Sequence, residues 1–194
     1  MSVSPRWAVL SGVAGLVANV LLILFFAVSR PWTSGGDLDW LGPANDATVV
    51  VQFAALVPVA LAVRGRVGLA RAVTATAVGA MGAVAVLQVA LLVGVLTFDV
   101  QVWAVMACFA ITFGWVLVAS RAGRTALPRA VVRLGTAVGV SFLAGAAVFA
   151  AGALLLPPDS VALYVVCGAG VVVGLFGWLG FPVWPLVLAL KEGQ

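Results

Sequence analysis

From Trp7 to Ser29 the chain runs for 23 residues without one ionisable side chain, and long apolar runs recur five more times before the end. A peptide group in hydrocarbon has no water to bond, so a segment that enters a bilayer must satisfy its own N–H and C=O groups, as a helix does. About 20 residues at 1.5 Å per residue cross the roughly 30 Å of hydrocarbon. The runs therefore predict six transmembrane helices, over about 7–29, 44–63, 68–97, 101–119, 130–156 and 161–180. A membrane barrel would need strands that alternate an apolar outer face with a polar lumen face, and these runs do not alternate. The expected fold class is all-α, a polytopic bundle that forms a single transmembrane domain over 1–194.

Composition removes the soluble alternatives: 64% of residues are hydrophobic and 8% charged, against roughly 45–50% and about 25% in soluble domains. The net charge of +4 does not imply nucleic acid, because the basic residues sit in short links between apolar runs rather than along one face with interleaved aromatics. Those links set topology. Arg6, then Arg64, Arg66 and Arg71, then Arg121, Arg124, Arg129 and Arg133, then Lys191 fall in alternate connections, while Asp37, Asp39 and Asp46, then Asp99, then Asp159 fall in the others. Basic loops stay in the cytoplasm, so both termini are expected there, with Arg30 the exception on the basic side and Glu192 on the acidic one. Trp7, Trp115, Trp178 and Trp184 near the inner boundary, and Trp32, Trp40 and Trp103 near the outer one, fit aromatic belts. Arginine outnumbers lysine nine to one amid much Ala, Val and Gly, a usage that points to a GC-rich bacterium and its plasma (inner) membrane. The first run exceeds the roughly 7–15 apolar residues of a signal peptide and lacks a good cleavage site, so it reads as a retained helix.

Prolines mark the boundaries. Pro128 suits the opening of the fifth helix, Pro157 and Pro158 close it, and Pro58 is expected to kink the second. Pro182 and Pro185 predict a break near 180, with 181–191 continuing as an interfacial C-terminal segment.

Three carboxamides, Asn19, Gln52 and Gln88, stand out because no charge lies in the middle of any span. Counted from the outer ends they lie roughly 12–15 Å deep at 1.5 Å per residue. At one shared depth they would form an interhelical hydrogen-bond cluster or line a ligand pocket, with Thr48, Thr112, Ser141 and Tyr164 as further wall residues. The second candidate is the outer acidic cluster of Asp37, Asp39 and Asp46, in the stretch GGDLDWLGPANDAT. There Gly42 and Pro43 suit a helix start, which puts Asp46 in the first turn against the helix dipole. Small residues at four-residue spacing, namely Ser11/Gly15, Ala75/Gly79/Ala83, Gly135/Gly139 and Gly170/Gly174, are expected to face other helices, since such stripes let backbones approach closely in lipid.

Absences narrow the chemistry. The chain has no histidine, which removes bis-histidine haem, most zinc sites and histidine-based proton transfer, and no metal or cofactor is expected. Cys108 and Cys167 lie inside apolar runs and read as inert buried thiols. The preferred function is a non-enzymatic accessory or interaction protein, multi-pass in the plasma membrane, with the lipid bilayer and either a homo-oligomer or a larger membrane complex as partners. Two alternatives stay open: small-molecule or lipid binding and transport through the polar midplane residues, and a lipid-modifying enzyme using the outer aspartates.

The segments RWAVLSGVAGLVANVLL, WLGPANDAT opening the second helix and VPVALAVRGR leaving it resemble small bacterial six-helix membrane proteins grouped under domains of unknown function. The resemblance implies the six-helix topology and no activity, cofactor or catalytic residue. The topology makes one direct prediction. A cysteine placed at position 35 should react with a membrane-impermeant maleimide added outside the cell, whereas one placed between 121 and 129 should not; the opposite pattern overturns the orientation.

Overall fold

The computed structural model describes residues 4–29, 38 and 40–192. The described chain is helical: α1 (Pro5–Leu24), α2 (Leu41–Val67), α3 (Arg71–Leu92), α4 (Phe98–Ala122), α5 (Arg129–Leu155), α6 (Val161–Gly180) and α7 (Val183–Glu192), with no strand among the described residues. A π-helical turn, Phe25–Ser29, continues α1. Six helical segments are long and apolar enough to cross a membrane, α6 and α7 together making the sixth.

Neighbours in sequence pack as neighbours in space from α1 through α5, and α7 returns to lie against both α5 and α1. The ring α1–α2–α3–α4–α5–α7 is thereby closed by the last, ten-residue helix. α6 stands outside it and packs along α5. The alternation brings the first and last helices together at the end that carries the arginines.

Glycines terminate two of the spans. Gly68 ends α2 at φ +70°, its N–H donating to the Arg64 carbonyl at 3.0 Å. α3 stops at Leu92, five residues before the expected 97, because Gly94 takes φ +73° and Val95 N–H folds back onto the Ala90 carbonyl at 2.9 Å. A left-handed residue just past the last turn is the common way a helix caps its orphan carbonyls, and glycine adopts it without a Cβ clash. α5 ends at Leu155, ahead of Pro157 and Pro158, and begins one residue after Pro128, so that proline is the cap rather than the first helical residue. α2 runs unbroken through Pro58.

The tightest seam joins α5 to α6. A Cβ on Gly145 would stand 2.5 Å from the Gly170 carbonyl oxygen and from the Gly174 Cα. One on Gly177 would stand 2.6 Å from the Phe142 backbone nitrogen, and one on Gly170 2.6 Å from that of Phe149. The helices touch backbone to backbone, and the Ser141 hydroxyl reaches across to the Val173 carbonyl. α1 is built on the same principle. Its buried face is Ala8, Ser11, Gly12, Ala14, Gly15, Ala18 and Asn19, small enough for α2 on one side and α7 on the other to lie close.

The segment after the break corrects the sequence reading. The helix is interrupted at Phe181 and Pro182 as expected, but 183–192 is docked into the bundle rather than lying apart as an interfacial tail. Trp184 and Leu188 are fully buried, Pro182 packs against the Cα positions of Gly12 and Gly15, and Leu186 covers Gly12. The physical reason is the notch in α1: two glycines a turn apart leave room for proline and leucine that no larger pair would allow. The belt assignment of Trp115, Trp178 and Trp184 is corrected with it. Trp115 and Trp184 are buried and meet edge to face at 6.0 Å, and Trp178 packs 4.8 Å from Phe109. Trp7, Trp40 and Trp103 are exposed as expected, while Trp32 lies outside the described residues.

Gly145→Ala should separate α5 from α6 and lower stability by about 1–3 kcal/mol, the usual cost of overpacking. Gly168→Ala, on the same helix pair with nothing within 4 Å of its Cβ position, should leave the thermal unfolding midpoint in detergent unchanged. Equal midpoints for the two variants would contradict the seam.

Candidate functional site

The structure separates the three amides. Gln52 lies mid-way along α2, where its side-chain amide fills the space beside Gly15 and its backbone carbonyl accepts a 3.0 Å hydrogen bond from the Ser11 hydroxyl. Asn19 is one helical turn beyond Gly15 on the same buried face of α1. These two share the α1–α2 seam. Gln88 does not join them. With α3 ending at Leu92 it stands four residues from the outer terminus, about 6 Å at the helical rise, and it accepts a 2.8 Å hydrogen bond from Gln101 Nε2 of α4. The expectation of a common depth placed Gln88 nine residues inside a helix that in fact closes earlier.

Gln101, 3% exposed, is the polar partner that the sequence reading missed. Its signal was present: 88 and 101 lie seven and six residues either side of 95, the centre of the 93–97 turn, so an antiparallel hairpin brings them to nearly the same level. A buried amide in lipid gains from a partner more than from any apolar contact, and here each glutamine supplies the other's.

The outer acidic cluster is described only in part, since Asp37 and Asp39 lie outside the described residues. Asp46 is half-buried in the second turn of α2, because the helix begins at Leu41 rather than at Pro43, and its carboxylate accepts a 3.4 Å contact from the Asn45 amide. The first turn of α2 contains no acidic residue, so the expected pairing of Asp46 with the helix dipole at the first turn is not formed.

The hydroxyls suggested as wall residues mostly bond locally. Thr48 donates to the Asn45 carbonyl at 2.8 Å and Thr112 to that of Cys108 at 2.9 Å, the i−3 and i−4 patterns that need no ligand. Tyr164 is exposed and reaches Asp159, 3.4 Å away.

Between the amides and the basic end the bundle is filled by aromatic rings. Phe113 stacks on Phe142 at 3.9 Å and touches Phe181 at 4.5 Å, while Phe53 meets Phe109 at 5.2 Å and Phe181 at 5.8 Å. Phe181 sits at the α6–α7 break, so the interruption itself delivers the ring that closes the centre. Below this plug Ser120 and Trp184 converge on Gly135, which leaves space for both polar groups, and the Ser120 hydroxyl, Trp184 Nε1 and Trp115 Nε1 have no hydrogen-bond partner among the described residues.

The small-residue stripes sort into two kinds. Gly15, Gly135 and Gly139 each have neighbouring side chains or backbone within 3 Å of a Cβ position, and Gly170 has backbone as close. Gly79 has nothing within 4 Å; together with Ala75 it is exposed, and Ala83 one turn on is partly so. Three of the four stripes are consumed inside the bundle and the α3 stripe is open.

No protein-family model, curated protein or solved structure matches the chain. The class therefore rests on its own architecture, which is that of a multi-pass helical membrane protein with six spans.

Gln101→Leu should cost roughly 1–2 kcal/mol by leaving the Gln88 amide buried and unpaired, whereas the double variant Gln88→Leu/Gln101→Leu should recover most of that loss. Denaturant titration of the single and double variants in mixed micelles measures it; additive losses would show that the two amides do not act as a pair.

Proposed function

We propose that this chain is a non-enzymatic accessory protein of a bacterial plasma membrane, with its arginine-bearing end in the cytoplasm and the exposed face of α3 as its contact with a second membrane helix. That reading accords with the small bacterial six-helix proteins its first two helices resemble. The observation that carries it is the contrast among the stripes. Ala75, Gly79 and Ala83 repeat the four-residue spacing of the stripes on α1, α5 and α6, yet among the described residues Ala75 and Gly79 are exposed, Ala83 is partly so, and nothing lies within 4 Å of a Cβ position on Gly79. In lipid, a small-residue face gains from close packing against another helix, in a second copy of the chain or in a larger membrane complex.

The alternatives have less in their favour. The amides named as a ligand pocket are divided between two seams and sit against packed side chains, the arrangement of interhelical glue. For a lipid-modifying enzyme, Asp46 offers one half-buried carboxylate bonded to its own neighbour.

The position of Gly79 permits a clean experiment. Because nothing lies within 4 Å of its Cβ position, Gly79→Leu should leave the unfolding midpoint of the protein unchanged while dissociating its complex. Native mass spectrometry and crosslinking in mild detergent should show the wild type in an oligomer or a larger assembly and the variant as a single chain. A wild type that is strictly monomeric and partnerless in native membranes would falsify the proposal.

A further inference from the structure

The α4–α5 connection and the helix ends beside it carry four arginines, Arg121 in the last turn of α4, Arg124 in the connection, and Arg129 and Arg133 in the first turns of α5, and no acidic residue. Its course is pinned rather than loose. Leu127 is buried, its N–H donates to the Gly123 carbonyl at 2.8 Å, and Gly123 is so closely covered that a Cβ there would stand 2.6 Å from Leu127 Cδ1 and 2.8 Å from Val67 Cγ1. Arg124 is thereby held beside the first turns of α5. A groove of about 490 Å³ runs between them, lined by Arg124, Arg133 and Thr136 at its polar end and by Val132, Ala137 and Val140 along its floor. Arg124 and Arg133 are both exposed, and no salt bridge or hydrogen bond to either is formed among the described residues.

We propose that this groove is a binding site for an anionic phospholipid, the phosphate held by Arg124, Arg133 and the Thr136 hydroxyl and one acyl chain lying along Val132, Ala137 and Val140. Two guanidiniums offer up to five donors each and match a phosphate's oxygens in a forked geometry that lysines would not reproduce. A threonine one turn deeper adds a neutral donor at the level where a glycerol ester begins. The apolar floor selects the source of the phosphate: it continues about 10 Å from Arg133 to Val140 at the helical rise, toward the middle of the span, where a free anion has nothing to contact and a lipid tail does. The uncompensated positive charge selects the headgroup, because choline would bring a cation against the guanidiniums whereas glycerol would not. Basic pockets at the cytoplasmic margins of membrane helices bind anionic headgroups on this principle.

The test is native mass spectrometry of the full chain released from micelles with added palmitoyl-oleoyl phosphatidylglycerol or phosphatidylcholine. The wild type should retain phosphatidylglycerol at least tenfold better than phosphatidylcholine. Arg124→Gln/Arg133→Gln should bring the ratio close to one, and Arg6→Gln, a charge removed from the same end but from α1, should leave it unchanged. Val140→Trp fills the floor with both arginines intact and should also abolish retention. All these positions lie at the surface, so each variant should keep the wild-type unfolding temperature, which reports separately on folding. The proposal is overturned if the wild type shows no preference, if either groove variant retains it, if Arg6→Gln removes it equally, or if millimolar inorganic phosphate displaces the lipid.

Discussion

Helices that share a bilayer gain nothing by hiding apolar surface from one another, since lipid tails are as apolar as leucine. What remains to hold them is close contact, which glycines permit: backbone against backbone between α5 and α6, and side chains let in against the flank of α1. Gly145, Gly170 and Gly177 let α5 and α6 touch along their length, and Gly12 and Gly15 admit Pro182 and Leu186 to the flank of α1. The closure of the ring, the placing of Trp184 beneath the aromatic plug and the rigidity of the basic end all follow from side chains that are not there. A methyl group at Gly145, Gly170 or Gly177 would displace main chain, which cannot yield as a flexible side chain can, whereas one at Gly15 would meet the side chains of Gln52 and Pro182.

The second organising fact is the interrupted sixth span. Pro182 cannot donate a backbone hydrogen bond, and at this point α6 stops; the redirected chain leaves α6 against α5 while α7 crosses into the gap between α5 and α1. Phe181 at the turning point joins the rings of Phe53 and Phe113. One local break therefore produces both an outlying helix and a filled centre.

Much of the fold was legible because it depends on neighbours in sequence. Apolar length gave the six spans, the alternation of arginine and aspartate links gave the shared end for the two termini, and the prolines located the break. What the sequence did not disclose depends on partners far along the chain. Four-residue spacing marked Gly15, Gly79, Gly135 and Gly170 alike, yet nothing local told that Gly15, Gly135 and Gly170 would meet close neighbours and that Gly79 would not among the described residues. Trp115 and Trp184 stand close to charged links, as belt residues do, and only the approach of α7 to α4 and α5 buries them. Gln88 was assigned a partner by depth, but depth was measured to the wrong helix end because Gly94 closes α3 early. The short turn from α3 to α4 brings Gln101 beside Gln88 instead.

The dependence of the ring on α7 also orders its assembly in time. A ribosome delivers α1 first and residues 183–192 after everything else described, so the side of the Gly12 and Gly15 notch that Pro182 and Leu186 fill stays without them while the intervening helices are made. Contacts between segments this distant along a chain form late and slowly. The α5–α6 hairpin, by contrast, is local and can zip as it enters the bilayer. A nascent intermediate with five or more helices inserted thus carries an unsealed flank until residues 183–192 dock against α1.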